Sequence, residues 1–140
     1  MDNENTAIKY TQFTREQIDE YLCVFKELIN KGMYTISRNS NRLENDNFIK
    51  NYRIDGKKEK EILMSIQYTD FCYAVGNRKK DFEDERLYVF CKNVALDNWG
   101  TEELVEIYIK TNIVQRKGGQ NFAIVISFHK KNKGITYLFR

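Results

Sequence analysis

The stretch from Leu104 to His129, LVEIYIKTNIVQRKGGQNFAIVISFH, restricts the fold of this chain more than any other. Val105, Ile107, Ile109 and Ile113 alternate with Glu106, Tyr108, Lys110 and Asn112, the period of a strand with one buried face. After Gly118-Gly119 the alternation resumes. Phe122, Ile124, Ile126 and Phe128 read as its apolar face, with Ala123, Val125, Ser127 and His129 on the second. A Gly-Gly pair suits a two-residue hairpin loop because both positions can take positive φ at little steric cost. With that loop, Lys117 faces Gln120, and Ile113, Ile109, Tyr108 and Lys110 face Ile124, Phe128, His129 and Ser127. The apolar faces then coincide, and a slip of one residue would undo the match. The same register gathers Tyr108, Lys110, Ser127 and His129, the one histidine of the chain, on the face opposite the core.

Upstream of this hairpin the sequence predicts helices. Thr14 and Gln17 form a capping-box pattern, and Ile18, Leu22, Phe25 and Ile29, with Leu28, follow helical spacing to a stop at Lys31-Gly32. A second helix is predicted from Lys57 to Ser65 or Ile66, burying Ile62, Leu63 and Ile66, after a turn at Asp55-Gly56. Between these helices, Met33–Ser37 is β-prone, and residues 38–52 read as loop or as a short helix over 42–52. Thr69 or Asp70 is placed to cap another short helix. Residues 77–86 read as a loop, Leu87–Cys91 as a strand, Asp97–Gly100 as a turn and Ile135–Phe139 as a last strand. Residues 1–12 look like a loose lead-in. The order, helices first and strands afterwards, predicts one α+β domain over residues 1–140, with N-terminal helices packed on one face of an antiparallel sheet and the other face open to a ligand.

Composition removes several classes. A chain of 140 residues with 41% hydrophobic and 14% aromatic content can bury a core without disulfides or a metal and is not a disordered tail. Cys23, Cys72 and Cys91 are odd in number and lack C-x-x-C spacing, so they read as reduced thiols packed as small hydrophobes in a cytoplasmic protein, not as a disulfide framework or zinc site. No apolar run reaches the length of a membrane span and residues 1–10 carry no secretory h-region, so no membrane association is expected. A single histidine excludes H-E-x-x-H chemistry, and no phosphate-binding or nucleophile-elbow motif is present. No cofactor or metal is implied. Glu102-Glu103 and the run DFEDER read as solvated faces.

Charge is unevenly placed. The net charge is +3, yet no acid follows Glu106, while Lys110, Arg116, Lys117, Lys130, Lys131, Lys133 and Arg140 do. Such a stripe attracts polyanions, although lysines on exposed strands also serve solubility.

Three pieces of the chain resemble the motility quorum-sensing regulator (MqsR) family of bacterial toxins. These are Phe25–Gly32 with Tyr34–Arg38, then Ile62–Phe71 ending in Thr69-Asp70-Phe71, then Ile107–Lys110 followed across the hairpin by Val125–Lys130. The resemblance implies a compact toxin of a type II toxin-antitoxin system that cuts messenger RNA without a metal and is neutralised by an antitoxin protein encoded nearby. Carried over by position, Tyr108 matches the family's active-site tyrosine. His129 stands where the family has a lysine, and Tyr73 where it has another. The family's glutamine has no counterpart.

Cleavage of this kind uses the neighbouring 2′-hydroxyl as nucleophile and needs a base, an acid, and cations or donors for the phosphorane. A histidine suits either proton-transfer role at neutral pH. His129 and Tyr108 are thus the candidate catalytic residues, with Lys110, Lys130, Arg78 and Tyr73 as candidate substrate-binding residues. The competing expectations are a non-catalytic nucleic-acid-binding module and a protein-interaction module on a toxin-like fold.

Overall fold

A computed structural model describes residues 8–37, 43–77 and 80–140. Its elements run β1 (Lys9–Tyr10), α1 (Arg15–Asn30), β2 (Tyr34–Ile36), α2 (Leu43–Asn51), α3 (Gly56–Met64), β3 (Phe71–Gly76), β4 (Arg86–Asn98), β5 (Thr101–Gln115) and β6 (Asn121–Lys130). The six strands form one sheet in the order β1-β3-β4-β5-β6-β2. The fold is α+β. The sheet is antiparallel except at one edge, where β2 runs parallel to β6, so the all-antiparallel expectation is corrected there.

The helices end where their sequence chemistry says they should. Thr14 Oγ1 accepts from the Gln17 N–H at 3.1 Å and Gln17 Oε1 accepts from the Thr14 N–H at 2.8 Å, closing a capping box at the start of α1. At the other end Gly32, with φ of 74°, takes the left-handed position. Its N–H donates to the Ile29 carbonyl and that of Met33 to the Leu28 carbonyl, satisfying the last carbonyls of the helix. Asp55 caps α3 through Lys58 N–H at 2.8 Å, which places Gly56 inside the helix and not in a turn before it. Ile18, Phe25 and Ile29 of α1, Phe48 and Ile49 of α2, and Ile62 and Leu63 of α3 share one buried cluster with Phe90, Ile107, Ile109 and Phe128 of the sheet. Fully burying each such side chain is worth roughly 1.5–3 kcal/mol.

A second cluster changes the picture of the sheet. Cys72, Tyr73, Val75, Leu87, Val89, Cys91 and Tyr108 are buried together, with Ile126, Ile135 and Tyr137 packed against them. The face expected to lie open is therefore covered in this region. Its cover is the segment after β6, whose Ile135 and Tyr137 pack on this cluster, while Leu138 and Phe139 pack on the helix-side cluster; residues 131–140 form no strand, in place of the strand expected over Ile135–Phe139. Buried from both sides, β3 reads as a continuous apolar run, FCYAV, with no alternation to distinguish a strand from a helix. Asp70 closes one 3-10 turn over Tyr68–Asp70, and the expected short helix is not formed.

The hairpin register holds at one end only. Tyr108 faces His129, Ile109 faces Phe128 and Lys110 faces Ser127, as the alternation predicts. Beyond a bulge after Lys110 the pairing shifts, so that Thr111 faces Val125 and Ile113 faces Ala123 instead of Ile124. The loop is correspondingly longer by one. Arg116 N–H donates to the Gln120 carbonyl, enclosing Lys117, Gly118 and Gly119, with both glycines at positive φ. Loop and bulge each add a residue and cancel farther along the hairpin. One consequence is that Ala123 and Val125, not Ile124, lie in the helix-side core with Phe128.

Asn45 holds the bulge in place. Its side chain, 1% exposed, donates to the carbonyls of Ser37 and Ile126 at 2.8 and 2.9 Å and accepts from Phe128 N–H at 2.8 Å. It thus takes over the edge of β6 at the point where β2 stops.

β4 and β5 are joined by a tight turn in which Trp99 and Gly100 have φ of 53° and 94°, the two positive values that a type I′ turn requires. Trp99 is 71% exposed, with the Arg53 guanidinium 4.0 Å above its ring, so it crowns the turn and does not cover a sheet edge.

Asp70 is the buried ionic anchor of the fold. Its carboxylate, 3% exposed as a residue, accepts from Gln67 N–H, Lys92 Nζ at 3.2 Å and Arg140 Nη2 at 2.9 Å. Asp70→Asn keeps the shape but leaves Lys92 and Arg140 without the charge they face. We expect a loss of about 2–4 kcal/mol, read as a lower midpoint in urea unfolding with unchanged slope.

Candidate functional site

β5 and β6 place the two central residues side by side. Because Tyr108 and His129 are directly opposed across the antiparallel pair, their rings lie on the same face, with centroids 5.5 Å apart and planes within 20°. Tyr108 is 1% exposed and belongs to the second buried cluster. His129 sits at the rim of that cluster, with a side chain 12% exposed.

The imidazole orientation follows from one hydrogen bond. Nδ1 of His129 lies 2.9 Å from the carbonyl oxygen of Lys130. A carbonyl can only accept, so Nδ1 carries the proton in this contact, and in the neutral ring Nε2 is the nitrogen able to take one up. The Glu44 carboxylate, in the first turn of α2, is 4.0 Å from Nδ1 and accepts from the Asn132 amide at 2.7 Å. Three separate parts of the chain, α2, β6 and the segment after it, therefore meet at the ring, which the Lys130 carbonyl holds by a hydrogen bond.

The candidate substrate-binding residues divide. Lys110 stays on the Tyr108 face, opposite Ser127 and next along the strand from the tyrosine. Tyr73 joins the buried cluster of Tyr108 from β3, with Lys9 Nζ 4.9 Å from its ring centroid, and is 3% exposed. Lys130 follows His129 and so projects from the opposite face of the strand. There its Nζ pairs with Glu103 at 3.3 Å, which raises the lysine pKa above its ordinary value. Hydrogen bonds from Tyr52, Asn98 and Lys130 in turn hold the Glu103 carboxyl below the usual carboxylate range. Arg78 lies outside the described residues.

The basic stripe, continuous in sequence, is dispersed by folding. Glu103 and Glu106 of β5 receive Lys130 and Lys131, and Asp70 receives Arg140. The guanidinium of Arg116 lies 3.4 Å from the Phe122 ring centroid. Acids that precede the stripe in the chain are brought beside it by the strand pairing.

Sequence reasoning counted Lys133 in the basic stripe but missed its place at the site, where its ammonium stands 4.8 Å from the Tyr108 ring centroid. It also missed Glu44 and Asn45, side by side at the start of α2, of which one approaches the histidine and the other holds its strand. No local pattern marks Lys133, since it lies in a segment without regular structure. Asn45 falls in the stretch read as loop or short helix, and nothing near it in sequence points to its partner on β6.

Cys72 and Cys91 are buried free thiols, and Cys23 on α1 is exposed, which corrects the expectation that all three are packed. Burial pushes the Cys72 thiol up to about 12 and raises that of Cys91, so neither is poised as a nucleophile at neutral pH. Among the described residues no group of three or more His, Cys, Asp or Glu side chains is arranged to hold a metal ion, and no helix is long and apolar enough to cross a membrane. Comparison with protein-family models, with curated proteins and with solved structures finds no match to this chain.

Proposed function

We propose that this chain is a metal-independent endoribonuclease acting on messenger RNA, the toxin of a type II toxin-antitoxin pair, with its reaction centred on His129 and Tyr108. The observation that carries the reading is the stacked Tyr108–His129 pair with Nδ1 directed to a backbone carbonyl. A histidine held in that tautomer accepts the proton of the attacking 2′-hydroxyl at Nε2, and the resulting imidazolium can return a proton to the departing 5′-oxygen. Lys110 supplies positive charge on the same face for the phosphorane, and Tyr108 orients the ring and the phosphate. The resemblance to the motility quorum-sensing regulator toxins adds weight at Tyr108 and extends to an antitoxin partner encoded beside the gene.

A second reading, a protein-interaction module on a toxin-like fold, is favoured by one observation. Lys130, Lys131 and Arg140 are already matched by acids, which leaves less of the stripe to meet a polyanion.

The test is direct. Purified protein incubated with RNA in EDTA is expected to leave 2′,3′-cyclic phosphate ends, because the nucleophile belongs to the RNA itself, and mapping of those ends locates the cuts. Intact RNA at every protein concentration, with inducible expression harmless to the bacterial host in the absence of the adjacent gene, would reject the enzyme reading.

A further inference from the structure

We propose that residues 131–140 act as a strap that closes over the sheet face carrying Tyr108 and His129 and must lift for a substrate to reach the tyrosine. The proposal rests on the ribonuclease reading for what enters, but not for the opening itself. The strap begins where β6 ends. Lys131 N–H donates to the Glu106 carbonyl at 2.8 Å, its ammonium pairs with the Glu106 carboxylate at 3.1 Å, and Asn132 reaches Glu44. It then crosses the second cluster, with Lys133 over Tyr108 and with Ile135 and Tyr137 packed on the buried residues. A cleft of about 250 Å³ separates residues 134–138 from Lys9, Thr11, Cys72 and Tyr73. Beyond it, Leu138 N–H donates to the Phe71 carbonyl at 3.1 Å, the Phe139 ring packs on Phe71 and Tyr68, and Arg140 binds the Thr69 carbonyl and the Asp70 carboxylate.

The fastenings are concentrated at the two ends, and their chemistry is that of a closure that opens. No residue from 131 to 140 is fully buried, and the segment has no regular structure. Elements without regular structure and without a fully buried residue open at lower free energy than the core they cover, even where, as at Arg140, one end is tied to a buried carboxylate. What lies beneath is the opposite, since Tyr108 and Cys91 are 1% and 0% exposed. A substrate phosphate therefore meets His129 at the rim but not Tyr108 while the strap is shut.

The two buried thiols report the opening without any reference to activity. In native protein, alkylation of Cys72 and Cys91 by iodoacetamide is followed by peptide mass mapping, with the exposed Cys23 as the internal standard. Arg140→Ala removes the far fastening, and Lys131→Ala with Asn132→Ala loosens the near one. Each removes two charge-assisted or carbonyl-bound side-chain hydrogen bonds and is expected to accelerate labelling of Cys91 and Cys72 by at least about tenfold relative to Cys23. Labelling at wild-type rates in both variants, or labelling that tracks global unfolding in urea, would overturn the strap. RNA cleavage is measured on the same samples. A parallel rise supports the strap as the gate of the proposed site; faster labelling with RNA left uncut by every variant supports the strap and rejects the ribonuclease reading.

Discussion

Replacing His129 with alanine is expected to slow RNA cleavage by roughly 10² to 10⁴-fold, the usual cost of a lost proton-transfer group, while RNA affinity stays nearly unchanged. The fold should stand, because the ring lies at the rim of the second cluster and its loss removes one cross-strand pair worth roughly 0.2–1 kcal/mol. His129→Lys should retain more activity than the alanine variant. A lysine at this position can still donate a proton or offset phosphorane charge, although it cannot be held through a ring nitrogen by the Lys130 carbonyl. Single-turnover cleavage rates for the three proteins, together with their thermal midpoints, decide the matter. Equal rates for wild type and alanine would remove His129 from the chemistry.

The largest stability effect is expected at Asn45, a residue with no proposed contact to RNA. Asn45→Ala leaves the Ile126 carbonyl and the Phe128 N–H at the bulge without the side chain that serves them, and does the same to the Ser37 carbonyl. With roughly 1–3 kcal/mol lost for each buried group left unsatisfied, partly recovered by relaxation, a net cost of about 3–5 kcal/mol follows. Asn45→Asp should also be costly, since a carboxylate keeps the bond from Phe128 N–H but faces two carbonyl oxygens it cannot serve. Exposed Asn47, two residues along α2, is the control, and Asn47→Ala should fall within about ±0.5 kcal/mol. Urea unfolding gives the energies, and amide exchange at Phe128 shows whether the bulge itself has loosened.

The parts of this fold governed by local chemistry were legible in the sequence. The start and stop of α1 rest on Thr14, Gln17 and Gly32, all within one turn of the helix ends they define. Pairing of Tyr108 with His129 was legible for a different reason: alternation on both strands points to it even though the loop is one residue longer than expected. Where the sequence misled, a distant partner had intervened. Asn45, eighty-odd residues away, supports an extra residue in β6, so the strand's apolar face changes midway and Val125 turns inward with Phe128. β4 extends to Asn98 because β5 pairs with it throughout, although Lys92, Asn93 and Asp97 are poor strand formers on their own. The basic stripe misled similarly. Its neutralising acids precede it in sequence, and only the sheet brings Glu103 and Glu106 beside Lys130 and Lys131.

Trp99 has a practical consequence for anyone following this protein spectroscopically. It is the one tryptophan of the chain, and it stands in solvent at the β4–β5 turn beneath the Arg53 guanidinium. Its emission is therefore a local signal, sensitive to the Arg53 contact and to quenchers in the buffer, and nearly indifferent to whether the interior remains packed. The chromophores that do sense the interior are tyrosines, with Tyr21 stacked on Tyr88 at 3.9 Å between α1 and β4 and Tyr108 beneath residues 131–140. Near-ultraviolet dichroism of those rings, recorded beside tryptophan emission, separates loosening of the hairpin tip from collapse of the whole molecule.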